Sequence, residues 1–124
     1  MKKIINTKNA PGAIGPYSQG TEAGNLVFVS GQLPINMRTG ELETEIKAAT
    51  KASLDNVKAI LEEAGSSMDK VLKTTVFLKD INDFAAVNEV YGKYFTKDCP
   101  ARACFAVGKL PKDALVEIEV IACK

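Results

Sequence analysis

Residues 100–123 read PARACFAVGKLPKDALVEIEVIAC and hold two strand patterns around a turn. From 115 to 122, Val116, Ile118, Val120 and Ala122 alternate with Leu115, Glu117, Glu119 and Ile121, so a strand here has one wholly apolar face and one mixed face. From 101 to 107, the same alternation sets Arg102, Cys104 and Ala106 on one side and Ala101, Ala103, Phe105 and Val107 on the other. The intervening GKLPKD carries the Gly and Pro of a turn.

Working toward the N-terminus, Val71 to Leu78 is rich in β-branched and large apolar residues and predicts a long strand closed by Lys79 and Asp80. Between these strands Phe84, Val87, Val90, Tyr91 and Phe95 share one helical face, with Asn82 or Asp83 as the cap. A longer amphipathic helix is predicted over 44–64 from Ile46, Ala49, Leu54, Val57, Leu61 and Ala64, stopped by Gly65. Ahead of it, 26–31 (LVFVSG) reads as a buried strand with Ser30 and Gly31 at its end, and Thr39-Gly40 marks a turn. Residues 9–20, NAPGAIGPYSQG, are a turn-rich lead-in. The order β, β, helix, β, helix, β, β predicts an α+β fold in which both helices cover one face of a single mixed sheet. The other face, left uncovered, implies that subunits pack sheet to sheet.

A length of 124 residues predicts a single domain spanning 1–124. Sixteen Lys and Arg against fifteen Asp and Glu leave a net charge of +1, without the basic excess that phosphate-backbone binding needs, so no nucleic-acid partner is expected. The chain contains no histidine, which excludes Ser-His-Asp triads, Cys-His pairs and histidine metal sites. Any general acid or base must be a carboxylate, lysine, tyrosine, cysteine or water. Cys99, Cys104 and Cys123 form no CxxC pair and no even disulfide framework, and nothing in their spacing supports a metal site. No apolar run has signal-peptide length or the ~20 residues that span a bilayer. The expectation is a cytoplasmic protein with no membrane partner.

Few residues remain to carry chemistry. The chain has only two arginines, Arg38 and Arg102. Arg102, among small and apolar strand residues, needs a partner: either a carboxylate of the protein or the carboxylate of a ligand, whose two oxygens match the guanidinium fork. Glu117 and Glu119 are solvent-side by alternation, yet Leu115 and Ile121 flank them, and a partly buried glutamate serves as a general base near neutral pH; one of the two is also a candidate partner for Arg102. Cys104 reads as a small packing residue, because no histidine is present to raise its thiolate fraction. Tyr17, in the Gly15-Pro16-Tyr17 turn, reads as a lid or packing aromatic. Ser30-Gly31 offers a hydroxyl and an unhindered N–H or merely ends a strand, and Asn88 reads as helix surface.

The segments GAIGPYSQG (12–20), VSGQLP (29–34), SLDNVKAILEEAG (53–65), KTTVFLKDINDF (73–84), VNEVY (87–91) and PARACFAVGKLPKDALVEIE (100–119) resemble the RidA/YjgF, or reactive intermediate deaminase, family over nearly the whole chain. The resemblance implies a chorismate-mutase-like fold and a homotrimer whose sheets form a central barrel, with ligand clefts between subunits. It implies hydrolysis of 2-imino acids such as 2-iminobutanoate and 2-iminopropanoate, or their enamine tautomers, to 2-keto acids and ammonia. By the same resemblance Arg102 binds the substrate carboxylate, Glu117 positions or activates water, and Tyr17, Ser30, Gly31, Asn88 and Cys104 line the cleft. No cofactor is called for, since an iminium carbon is already electrophilic and needs only orientation and one base. The alternatives are a non-catalytic carboxylate-binding or chaperone-like trimer and an RNA-cleaving translation inhibitor. Near-zero net charge and 6% aromatic content weigh against the latter.

Overall fold

The alternating run near the C-terminus forms a strand over Val116–Cys123, one residue later at each end than its pattern predicts. Val116, Ile118, Val120 and Ala122 are all buried, and the residues between them are not. This strand lies inside a six-stranded sheet. The computed structural model describes all residues 1–124, and its elements in chain order are β1 (Lys3–Ile5), β2 (Gly20–Ala23), β3 (Leu26–Gln32), β4 (Ile35–Asn36), β5 (Glu41–Leu42), α1 (Ile46–Glu63), β6 (Val71–Leu78), α2 (Phe84–Tyr94), β7 (Ala101–Ala106) and β8 (Val116–Cys123). The sheet order is β1-β2-β3-β8-β6-β7. Only β6 and β7 run parallel, with α2 as their crossover, so the sheet is mixed.

Both helices pack on the face to which β8 turns its apolar residues. Leu54, Val57, Ile60 and Leu61 of α1 and Val87, Val90 and Tyr91 of α2 join Val76, Leu78, Val116, Ile118 and Val120 in one core of 21 buried residues. The predicted α+β arrangement, two helices on one face of a mixed sheet, is the one observed. The opposite face is open and apolar in patches: Phe28 pairs with Ile121 across β3 and β8, and Phe77 meets Phe105 edge-to-face at 5.5 Å. Phe28 and Phe105 stay 41% and 44% exposed. No helix of the structure is long and apolar enough to cross a membrane.

Local chemistry sets the boundaries. Glu45 caps α1 by accepting from the Lys47 and Ala48 N–H groups, and Gly65, at φ +80°, ends it. There the Gly65 and Ser66 N–H groups bond back to Glu62 and Leu61, the paired contacts of a left-handed helix stop. The start of α2 falls where expected. Asp83 holds the N-cap position, one of the two expected, but its side chain makes no capping hydrogen bond; the carboxylate at work is that of Asp80, which caps the tight turn Ile81–Asp83 just ahead by accepting from Asn82 N–H at 2.9 Å. The Thr39-Gly40 turn closes the small hairpin of β4 and β5. The first two strands, β1 and β2, are too short and too weakly alternating for the sequence to announce.

The lead-in 9–20 is an ordered loop tied down by one side chain. Gln19, 2% exposed, accepts from Thr7 N–H at 2.7 Å and donates to the carbonyls of Thr7, Ala10 and Pro11. A buried amide with this many partners holds both limbs of the loop, including the neighbouring Tyr17 and Ser18. Gln19→Ala strands those backbone groups, and urea unfolding is expected to show a loss of about 2 kcal/mol. A loss below measurement error would mean that the loop is held elsewhere.

Candidate active site

On α2, Phe84, Asn88 and Tyr91 stand four and three residues apart, which places them in one stripe along the helix. Arg102, on the edge strand β7, lies across that stripe. Its guanidinium carbon sits 5.3 Å from the Phe84 ring centre and 4.8 Å from that of Tyr91, and Nη1 donates to Asn88 Oδ1 at 2.7 Å. Tyr91 is in turn fixed by a 2.7 Å hydrogen bond between its hydroxyl and that of Thr74 on β6, and burial pushes its phenol pKa up. The Arg102 Nε and Nη2 groups make no hydrogen bond within the chain, and none of the four ion pairs includes Arg102. The side-on fork of the guanidinium is therefore open. Cys104, two residues along the same face, has its thiol pKa raised by burial, an effect only partly opposed by the Arg102 charge, so it is a neutral thiol at physiological pH.

A second group lies on the other side of the sheet. The register pairs Arg102 with Thr74, which is fully buried beneath the helices, whereas Glu117 pairs with Phe77 on the open face. Within one chain Arg102 and Glu117 thus face opposite ways, and the expectation that one of the strand glutamates pairs with Arg102 is not met. Sheet parity is the reason, since their hydrogen-bonded partners Thr74 and Phe77 are an odd number of residues apart on β6.

Glu117 is partly buried beside Gly31. An ideal Cβ on Gly31 would come within 2.8 Å of Glu117 Cδ and closer still to Oε2, so only glycine leaves room for the carboxylate in this pose. Ser30 and Gly31 lie in β3 one residue short of its end at Gln32, at the irregularity where the register with β8 shifts between Val29 and Gln32. Ser30 ties this point to the lead-in loop, its hydroxyl donating to Ser18 O at 2.6 Å and its N–H to Gln19 O at 2.9 Å. Tyr17 stands exposed on that loop, its ring against Gly15. Desolvation, reinforced by the nearby Glu119 charge, raises the Glu117 pKa. The site residues read from sequence thus form two half-sites, one with Arg102, Asn88 and Cys104, the other with Glu117, Gly31, Ser30 and the Tyr17 loop. Sequence reading treated Tyr91 as core alone and missed its place under the guanidinium, although the 84-88-91 spacing carried the signal.

The family model described as Endoribonuclease L-PSP matches residues 7–124. A RutC family protein of Pyrococcus horikoshii is 55% identical over 125 residues, covering all of this chain and 99% of its own. The 2-iminobutanoate/2-iminopropanoate deaminase of Escherichia coli is 52% identical over 127 residues, covering 100% and 99%. The chain belongs to the RidA/YjgF family. Solved members superpose closely: Escherichia coli TdcF with bound serine at a TM-score of 0.94 and 49% identity, and the Escherichia coli YjgF gene product at 0.95 and 51%, each over 98% of both chains. The RidA/YjgF assignment accounts for the α+β fold, which these solved members share.

The raised pKa of Glu117 has a stability consequence with a definite sign. The folded chain holds this proton more tightly than the unfolded chain, so ionisation costs stability, and the cost sets in as pH rises from 4.5 toward the raised value. Glu117→Gln removes the cost. Its thermal midpoint is expected to exceed that of the parent at pH 7 and to match it near pH 4. Equal shifts at both pH values would locate the effect outside the carboxylate.

Proposed function

We propose that this protein hydrolyses small 2-imino acids to 2-keto acids and ammonia, in clefts that join the two half-sites across neighbouring subunits. The observation that carries the reading is the unpaired Arg102 fork, fixed by Asn88 and two aromatic rings and lacking any carboxylate of its own chain. A guanidinium so held is prepared for an external carboxylate. The names of relatives at 52% identity, which are 2-iminobutanoate/2-iminopropanoate deaminases, support the substrate class. The bare apolar sheet face, with Phe28, Phe77, Phe105 and Ile121, supports closure of three sheets into a barrel as a homotrimer. Three free thiols suit a reducing cytoplasm.

In the proposed reaction Arg102 of one subunit clamps the substrate carboxylate. Glu117 of a neighbour, made more basic by desolvation, removes a proton from water as the water oxygen bonds to C2 and the C=N π pair passes to nitrogen. The resulting carbinolamine takes that proton back on nitrogen. The C–N bond then breaks with its electron pair leaving on ammonia, and the hydroxyl proton passes to the Glu117 carboxylate as the keto group forms. Tyr17 and the Ser30-Gly31 segment flank the reacting carbon and hold the polar intermediate, while Asn88 and Cys104 complete the walls. No cofactor enters any step.

An RNA-cleaving role, which the family description would suggest, has weaker support, because a net charge of +1 gives no backbone-tracking surface. A purely binding role makes the same use of Arg102 and differs only in lacking turnover.

The test is decay of 2-iminobutanoate generated in situ, followed with ammonia release. Arg102→Ala is expected to lower kcat/KM by about 100-fold and Glu117→Gln by about 100-fold or more in kcat. Mixing the two inactive variants and reassembling them is expected to restore part of the activity, because some clefts then receive both intact residues. Wild type no faster than buffer would leave a binding role, and mixed assemblies as inactive as their parents would place both residues of each cleft on one subunit.

A further inference from the structure

Away from both half-sites, a cavity of about 480 Å³ opens between the β4–β5 hairpin and the first half of α1. It shares no lining residue with the Arg102 or Glu117 groups. Its volume falls in the range of small-ligand sites. Two charges in it are left without a counter-charge. Arg38 has no ion pair, and its guanidinium donates to nothing in the chain, only its backbone N–H being bonded, to Asn36 Oδ1. The Glu43 carboxylate is held only by a neutral amide, Asn36 Nδ2 at 2.9 Å. The other charged pair in the wall is self-satisfied, since Lys51 is bonded to Asp55 at 2.8 Å.

A third group is buried and has an empty acceptor. Asn56 is 2% exposed, and its Nδ2 donates to Leu33 O and Ile35 O, which fixes which amide atom is oxygen. Its Oδ1 accepts from no group of the chain. The single side-chain polar atom both sealed from solvent and unpartnered is Ser53 Oγ, so the Asn56 oxygen opens to the cavity it lines. That oxygen is reachable from the cavity and free to accept a hydrogen bond from a ligand there. Ile35, Ala48 and Ala52 add an aliphatic wall.

We infer that this cavity is a second small-molecule site, for a free α-amino acid with a short aliphatic side chain. Its carboxylate meets Arg38, its ammonium donates to Glu43 and Asn56 Oδ1, and its side chain lies along Ile35 and Ala52. Neither a simple acid nor a simple amine answers both unpaired charges, whereas a zwitterion answers both and adds no net charge. The inference stands independently of the proposed deaminase activity, because the two sites share no residue.

The experiment is calorimetric titration of the full chain with L-valine, with propionate and propylamine as half-ligands, alongside the side-chain amide resonance of Asn56. Valine is expected to bind wild type and Arg102→Ala equally and to shift the Asn56 signal. Arg38→Ala and Glu43→Gln, both at accessible positions, are each expected to weaken binding by about 10-fold or more, and each half-ligand to bind at least about 10-fold more weakly. Binding lost in Arg102→Ala, binding retained in both cavity variants, or no heat and no Asn56 shift at millimolar valine would each overturn the assignment.

Discussion

The pleat of β8 governs this structure. It is flanked by β3 and β6 in the middle of the sheet, so its register sets theirs, and its period of two sends Val116, Ile118, Val120 and Ala122 under the helices. The same period sends Glu117 and Glu119 to the bare face. Core and chemistry are therefore two sides of one strand. Four buried aliphatic side chains, each contributing on the order of 1–3 kcal/mol, hold the register that keeps Glu117 against Gly31.

Arg102 is placed by a different element and a different period. It sits on an edge strand, where the guanidinium reaches past the sheet rim to the stripe of α2. Two aromatic faces, worth about 1 kcal/mol each, and one amide oxygen fix its orientation without neutralising its charge. A carboxylate from the chain would have stabilised the arginine more and closed its fork. The ring-and-amide support leaves the charge available, which is the arrangement that suits a bound anion.

Much of this was readable in the residues. The alternation in 115–122 and the helical spacing in 44–64 each name the buried face, because burial requires that periodicity, and Gly65 marks a stop that only a left-handed residue makes. The resemblance named Arg102 and Glu117 as the residues to watch, and each proves unusual in its surroundings. The first two strands and the Asp80-capped turn ahead of α2 were not readable, since three- and four-residue elements carry no periodic signal.

Sequence by itself determined the longer elements, their apolar faces and the want of any histidine chemistry. Tertiary structure alone decided that Arg102 and Glu117 face opposite sides of one sheet, and that Phe84, Asn88 and Tyr91 lie beneath the guanidinium. It alone also left Arg38 and Glu43 uncompensated around a cavity onto which the Asn56 oxygen opens. The reason is physical: periodicity is a property of one segment and is written in it. Which face meets which, and which charge goes unanswered, depends on strand order and register between segments far apart in the chain.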